Sequence, residues 1–207
     1  MTLYDISIAM GPGTPEWPGD TPFSCGWSWR LAKGESVNLS WLTTSPHVGT
    51  HADAPLHVRD GDMPSHELPL AVFIGAARLC TVPPEPRDLD IGELARIGAT
   101  GAERLLLRSG ASIAGGRFPE DWPALSADAA RALARQGLRL LGVDAPSVDR
   151  RASTTLDVHH ALFDGGAHVL ENLDLGAAPD GEYELLAQPL HVVGLDAAPV
   201  RALLRRP

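Results

Sequence analysis

The sequence predicts an α/β fold, with a mostly β core and a few packed helices in a single domain over residues 1–207. Three observations point there. Strand-like segments outnumber helical ones, and residues 104–144 carry a β–α–β signature. No linker, repeat or low-complexity segment divides the 207 residues, a length that suits one domain. In chain order, residues 3–8 and 37–44 read as short strands, with the turn-rich loop 11–22 between them and Trp17 at the centre of that loop. Residues 72–82 form an apolar, β-branched run that suits a buried strand. Residues 90–97, stopped by Gly98, suit a short helix. Residues 104–108 and 138–144 are strands around a helix that Ser126 caps, Asp128 supports in its first turn and Gly137 ends. The tail predicts a strand-like run over 183–193 and a final helix over 198–206.

Composition removes several classes of function. The formal net charge is −9 and no extended Lys/Arg run occurs, which argues against a nucleic-acid or anionic-membrane partner. No stretch approaches the 18 or so apolar residues of a membrane span. The first ten residues lack the basic and apolar regions of a signal peptide. Cys25 and Cys80 are too few for a disulfide framework, so a reduced, cytoplasmic setting is expected. A Gly-x-Ser-x-Gly elbow, a dinucleotide fingerprint and a phosphate loop are all missing from the sequence.

The chemistry concentrates in Pro46-His-Val-Gly-Thr-His-Ala-Asp-Ala-Pro-Leu-His57. Of 8 histidines in the chain, His47, His51 and His57 gather here around Asp53. Imidazole and carboxylate are the ligands that zinc, manganese and related ions prefer. All four positions are odd, so an extended backbone turns them to one face and leaves Val48, Thr50, Ala52, Ala54 and Leu56 to pack on the other. A straight strand of this length spans roughly 33 Å, too far for ligands of one ion. Gly49 and Pro55 are the places where the backbone can bend and gather them.

A second group lies near the C-terminal end. Glu171 interrupts an apolar run, and a buried carboxylate there needs a cation or strong donors. The His159-His160 pair precedes it. On an extended strand, neighbours face opposite ways, so only one of the pair would point inward.

The run His47-x-Gly-Thr-His51-x-Asp53-x-Pro55-x-His57 resembles the signature of the cyclase-like metal-dependent hydrolases, and within them the bacterial kynurenine formamidases (arylformamidases). The similarity extends over nearly the whole chain. It includes Thr14-Pro-Glu-Trp-Pro-Gly-Asp-Thr-Pro-Phe23, Asp144-Ala-Pro-Ser-Val-Asp149 and Thr155-Leu-Asp-x-His-His160. It continues through Leu170-Glu171, Tyr183-Glu-Leu-Leu-Ala and Gly194-Leu-Asp-Ala-Ala-Pro-Val-Arg-Ala-Leu-Leu204.

The resemblance implies a swivelling β/β/α fold, a homodimer and two zinc ions per chain, with manganese chemically reasonable. It places one metal on His47, His51 and Asp53, and a second on His159, with Asp53 and Glu171 bridging. The family's twelve-residue step from its histidine to its glutamate selects His159 over His160. His57 falls on the family's acid/base histidine, although the residues alone leave it open as a further ligand. Trp17 falls on the aromatic that contacts substrate. Composition alone also allows it a core role, and its loop favours exposure. The implied reaction is attack of a metal-bound hydroxide on N-formyl-L-kynurenine, giving L-kynurenine and formate in tryptophan catabolism. Ring opening of another small amide or lactam such as isatin, or metal binding without catalysis, are the alternatives.

Overall fold

The computed structural model describes residues 2–206. Thirteen strands and three helices occur among them. The first strands are β1 (Thr2–Asp5), β2 (Ser24–Trp29), β3 (Leu39–Thr43), β4 (His51–Asp53), β5 (Ile74–Thr81) and β6 (Asp88–Leu89), and helix α1 (Ile91–Arg96) follows. Then come β7 (Arg104–Arg108), β8 (Ala124–Leu125), α2 (Ala127–Arg135), β9 (Leu140–Val143) and α3 (Asp157–Asp164). The chain continues with β10 (His168–Glu171), β11 (Gly181–Leu186), β12 (Ala197–Pro199) and β13 (Leu203–Arg206).

Nine strands make one mixed sheet in the order β1-β13-β11-β5-β7-β9-β10-β4-β12. Its centre is parallel from β5 through β7 and β9 to β10, and the pairs on either side are antiparallel. A bridge between Ser7 and Leu173 joins the segment after edge strand β1 to the segment after β10, so the sheet curls back on itself. Strand alternation sorts the side chains into two cores. Leu105, Leu107, Leu141, Val143 and Val169 face the helical side with Trp122, Leu133 and Leu162. Leu106, Leu140 and Leu170 face the inside of the curl with Ile6, Phe73 and Leu204.

The β–α–β reading of 104–144 matches β7, α2 and β9. The Ser126 hydroxyl accepts from the Ala129 N–H at 3.1 Å, and Asp90 and Glu93 form a reciprocal capping box on α1. The run 72–82 begins its strand only at Ile74, because Pro69 starts a 3₁₀ turn over Leu70–Phe73.

Three expectations are corrected. Residues 198–206 are not helical; they form β12 and β13. Pro199 pushes Ala198 out of the helical region. Hydrogen bonding to β4, β1 and β11 then outweighs the helix propensity of the Ala/Leu-rich tail. In the same tail, the strand-like run 183–193 holds only to Leu186. The His159-His160 pair lies on α3, not on a strand. The residue before α3, Leu156, offers no capping side chain, and the Asp149 carboxylate takes its place. It accepts from the Val158 and His159 N–H groups at 3.0 and 3.1 Å.

The β2–β3 hairpin makes its own two-stranded sheet outside the main one. Its Trp27, Trp29, Trp41 and Leu42 are exposed.

Gly142 in β9 marks tight packing against the core inside the curl. A Cβ there would meet Leu106 Cδ2 at 2.4 Å and Leu173 Cδ1 at 2.8 Å, and both leucines are fully buried. Gly142→Ala is expected to cost about 1–3 kcal/mol in denaturant unfolding, as overpacking of a filled core does. Gly115→Ala, which adds its methyl to open space, is expected to stay within about 0.5 kcal/mol. Equal midpoints for the two variants would contradict this account of the sheet.

Candidate metal centre

Strand β4 lies between β10 and β12, and its register builds the site. Glu171 stands opposite His51, and Ala197 stands opposite Asp53. Cross-strand partners share a face, so His51, Asp53 and Glu171 project together while Ala52 enters the core on the other face. The two bends expected from the sequence are present. Gly49 takes φ +73°, a backbone that L side chains rarely adopt, and its carbonyl accepts from His51 Nδ1 at 2.9 Å. Pro55 opens a 3₁₀ turn that ends at His57. The odd-numbered face is therefore reached through a short strand flanked by two turns, not through one long strand.

His51, Asp53, His159 and Glu171 are all buried, with Asp53 at 0% exposure. Asp53 Oδ1 lies 3.2 Å from His47 Nδ1 and 3.3 Å from His51 Nε2, and Asp53 Oδ2 lies 3.3 Å from His159 Nε2. Glu171 spans the same gap, with Oε1 at 3.3 Å from His159 Nε2 and Oε2 at 3.5 Å from His51 Nε2. Each carboxylate thus faces two groups of imidazoles at once. A nitrogen of His57, an oxygen of Asp53 and a nitrogen of His159 also fall within 4.8 Å of one another.

These donors fit a metal. His51 Nε2 and Asp53 Oδ1 are buried and have no hydrogen-bond partner. Two unsatisfied polar atoms in so closed a place are costly unless something binds them. Ligands held about 2.0–2.2 Å from a tetrahedral zinc stand roughly 3.4 Å apart, close to the 3.2–3.5 Å separations found here. The far nitrogens of the rings are already taken. His51 Nδ1 is held by Gly49, His159 Nδ1 by Asp149 at 2.7 Å, and His47 Nε2 by Asp196 at 2.9 Å. Such outer partners fix the ring and leave the inner nitrogen bare for a ligand bond.

The same crowding sets the electrostatics of the metal-free site. Burial opposes a charge on His47, but the hydrogen bond with Asp196 and the negative charge of Asp53 outweigh it and raise the ring to about 9. Burial likewise opposes a charge on His51, and the pull of Asp53 and Glu171 raises it to about 10. His159 also ends well above its ordinary value, because Asp149, Asp53 and Glu171 override its burial. Burial works against ionised Asp53 and Glu171, yet the neighbouring imidazoles hold both below the usual carboxylate range. Without metal, protons supply the positive charge the two carboxylates require.

A cavity of about 430 Å³ opens over these groups, with Trp17, Phe118, Pro146 and Leu156 among its lining and His57 and Asp196 at its rim. Trp17 is 40% exposed and meets Phe118 and Trp122 edge-on, with centroids at 5.5 and 6.0 Å. His160 stays on the outer side of α3, where Arg59 Nε donates to its Nδ1 at 3.2 Å.

The structure therefore brings together all seven residues expected at the site. Sequence reasoning missed Asp149, Asp196, Phe118 and Asn172. Asp149 and Asp196 lie inside stretches that carry the family resemblance, but a lone aspartate there has no spacing to set it apart. Asn172, buried beside Glu171 in a left-handed conformation (φ +54°), shows its role only in the fold.

The raised imidazoles give metal-free protein a specific pH response. His47, His51 and His159 lie above their ordinary 6.5, so their stabilising effect is full below that value and is lost as pH climbs through about 9 to 10. The carboxylates lie below their ordinary values of 3.8 and 4.5, so their effect is present above this range and is lost as pH falls through their lowered values. Chelated protein is expected to melt highest between about pH 4.5 and 6.5 and to lose stability steadily toward pH 10. Added divalent metal should remove the alkaline loss. A melting temperature that is flat or rising from pH 7 to 9.5 in chelator would contradict the buried-charge account.

The family model described as "Putative cyclase" matches residues 4–150. The kynurenine formamidase of Salinibacter ruber is 44% identical and covers 99% of this chain and 98% of its own length. Those of Maricaulis maris and Bacillus cereus are 40% and 43% identical, each covering at least 97% of this chain and 96% of its own. A solved structure described as a potential metal-dependent hydrolase with cyclase activity superposes with a TM-score of 0.84 at 28% identity, covering 100% and 99% of the two chains. An isatin hydrolase bound to thioisatinate superposes at 0.83 with 22% identity, covering 99% and 92%, which is a likeness of fold. On the extent and identity of these matches, the chain belongs to the cyclase family of metal-dependent hydrolases, in the branch that holds the bacterial kynurenine formamidases.

Proposed function

We propose that this chain is a zinc-dependent arylformamidase that hydrolyses N-formyl-L-kynurenine to L-kynurenine and formate in tryptophan catabolism. The observation that carries the reading is the pair of bare, buried donors, His51 Nε2 and Asp53 Oδ1, 3.3 Å apart beside a cavity that His51, Trp17 and Phe118 line. The near full-length similarity to kynurenine formamidases supports the choice of substrate. His47, His51 and Asp53 would hold one metal and His159 a second, with Asp53 and Glu171 shared between them. When bound there, zinc or manganese supplies Lewis-acid activation of water and of the formyl carbonyl.

The side chains of the chain do the rest. Trp17 and Phe118 offer the aryl ring edge and face contacts, worth roughly 0.5–1.5 kcal/mol beyond area burial. His57 Nδ1 is held by Asp196 at 3.0 Å, which leaves Nε2 to exchange protons. As the water oxygen bonds to the formyl carbon, one water proton passes to His57. The C–N bond then breaks, and the same proton goes from His57 to the departing aryl amine. Imidazole suits this exchange near neutral pH. The reading also takes residues 1–207 as one cyclase-like domain in a cytoplasmic homodimer. The exposed tryptophans of the β2–β3 hairpin support the dimer, and the two unlinked cysteines support a reducing compartment. The deciding assay follows kynurenine release spectrophotometrically from N-formyl-L-kynurenine, with isatin as the competing substrate. Turnover of isatin alone would overturn the assignment, and bound metal without turnover of either would make the chain a binding protein.

Purified protein is expected to carry two divalent ions per chain and to lose activity on chelation. Asp53→Ala should be the most damaging ligand substitution, because that carboxylate faces His47, His51 and His159, whereas Glu171 faces only the last two. His159→Ala should lose metal and His160→Ala should keep it. One ion per chain at full activity would sink the two-metal reading. Separately, His57→Ala is expected to retain its metal and lower kcat by about 10²–10⁴, the usual contribution of a positioned acid/base. Loss of an ion from that variant would make His57 a ligand instead.

A further inference from the structure

Asp196 is placed by backbone, not by chance of rotamer. The antiparallel pairing of β12 with β4 sets Ala197 against Asp53, and the Asp196 carbonyl accepts the Ala54 N–H at 2.8 Å. Gly194 turns the chain just before it with φ +84°. Its side chain then reaches the cavity rim between two imidazoles whose centroids are 4.4 Å apart. One oxygen, Oδ2, lies 2.9 Å from His47 Nε2 and 3.0 Å from His57 Nδ1.

An ionised carboxylate can only accept hydrogen bonds, so both of those nitrogens must carry hydrogen. In the neutral rings that a bound metal requires, this leaves Nε2 of His57 and Nδ1 of His47 as the bare atoms, and His47 Nδ1 is the one that faces Asp53. We propose that Asp196 is a positioning residue that, through one oxygen, fixes the reactive nitrogen of His57 and the ligand nitrogen of His47 together. The proposal rests on the arylformamidase reading for the meaning of His57, and on geometry alone for the tautomers.

A rival role is open to the same three residues, since His47, His57 and Asp196 could themselves enclose an ion. The distances separate the two roles. Spacings of 2.9 and 3.0 Å are those of N–H···O hydrogen bonds, whereas ligands around one zinc stand roughly 3.4 Å apart, as the buried donors do. Asp196 is also the most exposed of the three, with its side chain 39% accessible, so its replacement need not disturb the fold.

The test compares wild type with Asp196→Ala and Asp196→Asn, all loaded with zinc, and reads ring ¹⁵N shifts, kcat, KM, metal content and melting temperature. In wild type, His57 should show a protonated Nδ1 and a bare Nε2; in both variants this tautomer should be lost. We expect kcat to fall about 10–100-fold with KM changed less than about threefold, and metal affinity to weaken by a similar 10–100-fold while two ions still bind at saturation. Unchanged His57 shifts in both variants would overturn the proposal, whatever happens to kcat. Loss of one ion at saturation would overturn it in favour of a ligand role. If wild type turns over no formamide yet the shifts move as expected, the tautomer assignment stands and the arylformamidase reading falls.

Discussion

Two carboxylates, Asp53 and Glu171, are buried side by side within one sheet, and the rest of the site answers to that fact. Removing a carboxylate from water costs several kcal/mol even after relaxation. Two such groups facing a common space cannot both stay ionised without positive charge between them. Three imidazoles converge on them; Asp53 reaches all three rings and Glu171 reaches two. The raised pKa values of His47 and His51 express the same demand in terms of protons. A divalent ion can meet the same demand, because it can take up the bare His51 Nε2 and Asp53 Oδ1 together.

The fold can concentrate this much charge because β4 is only three residues long and sits between two partners. A central strand satisfies its backbone on both sides, so its side chains can be committed to chemistry on one face and to packing on the other. Ala52 and Ala54 are small and fully buried, which lets the curled sheet close tightly behind the site. The parallel pairing of β10 with β9 and its antiparallel pairing with β4 bring Glu171 from a distant part of the chain to His51. Residues 120 positions apart in the chain are thus held by ladder hydrogen bonds, not by loops.

How much of this was legible in the sequence depended on whether a signal was local. The His47–His57 motif, the bends at Gly49 and Pro55, the Ser126 cap and the β–α–β unit all express short-range rules, and all are present in the fold. The His159-His160 pair lies on a helix where its sequence suggests a strand. The cap of α3 comes from Asp149, eight residues before the helix begins, and no usual capping residue stands where one is sought. His159 still turns inward and His160 outward, since neighbours on a helix are about 100° apart. The tail failed for a different reason. Its Ala and Leu favour helix locally, but the sheet offered strand partners from three distant elements.

The remaining question is how four carboxylates of one chemical type take different roles within so small a space. Their hydrogen bonds decide it. Asp149 accepts two backbone N–H groups and the His159 ring, so its oxygens are occupied and it serves to cap and orient. Asp196 spends one oxygen on two imidazoles while remaining partly exposed. Glu171 gives one oxygen to the Val148 N–H at 2.7 Å, which aims the carboxylate and still leaves it facing His51. Asp53 alone has a buried oxygen that no hydrogen bond satisfies, with the His47 and His51 nitrogens 3.2 and 3.3 Å from it. The order of unsatisfied capacity, greatest at Asp53, less at Glu171 and least at Asp149, is the order in which these groups would give electron density to a metal. Ligand and orienting roles are therefore distinguished by which lone pairs the fold leaves free, and residue type alone could not have told them apart.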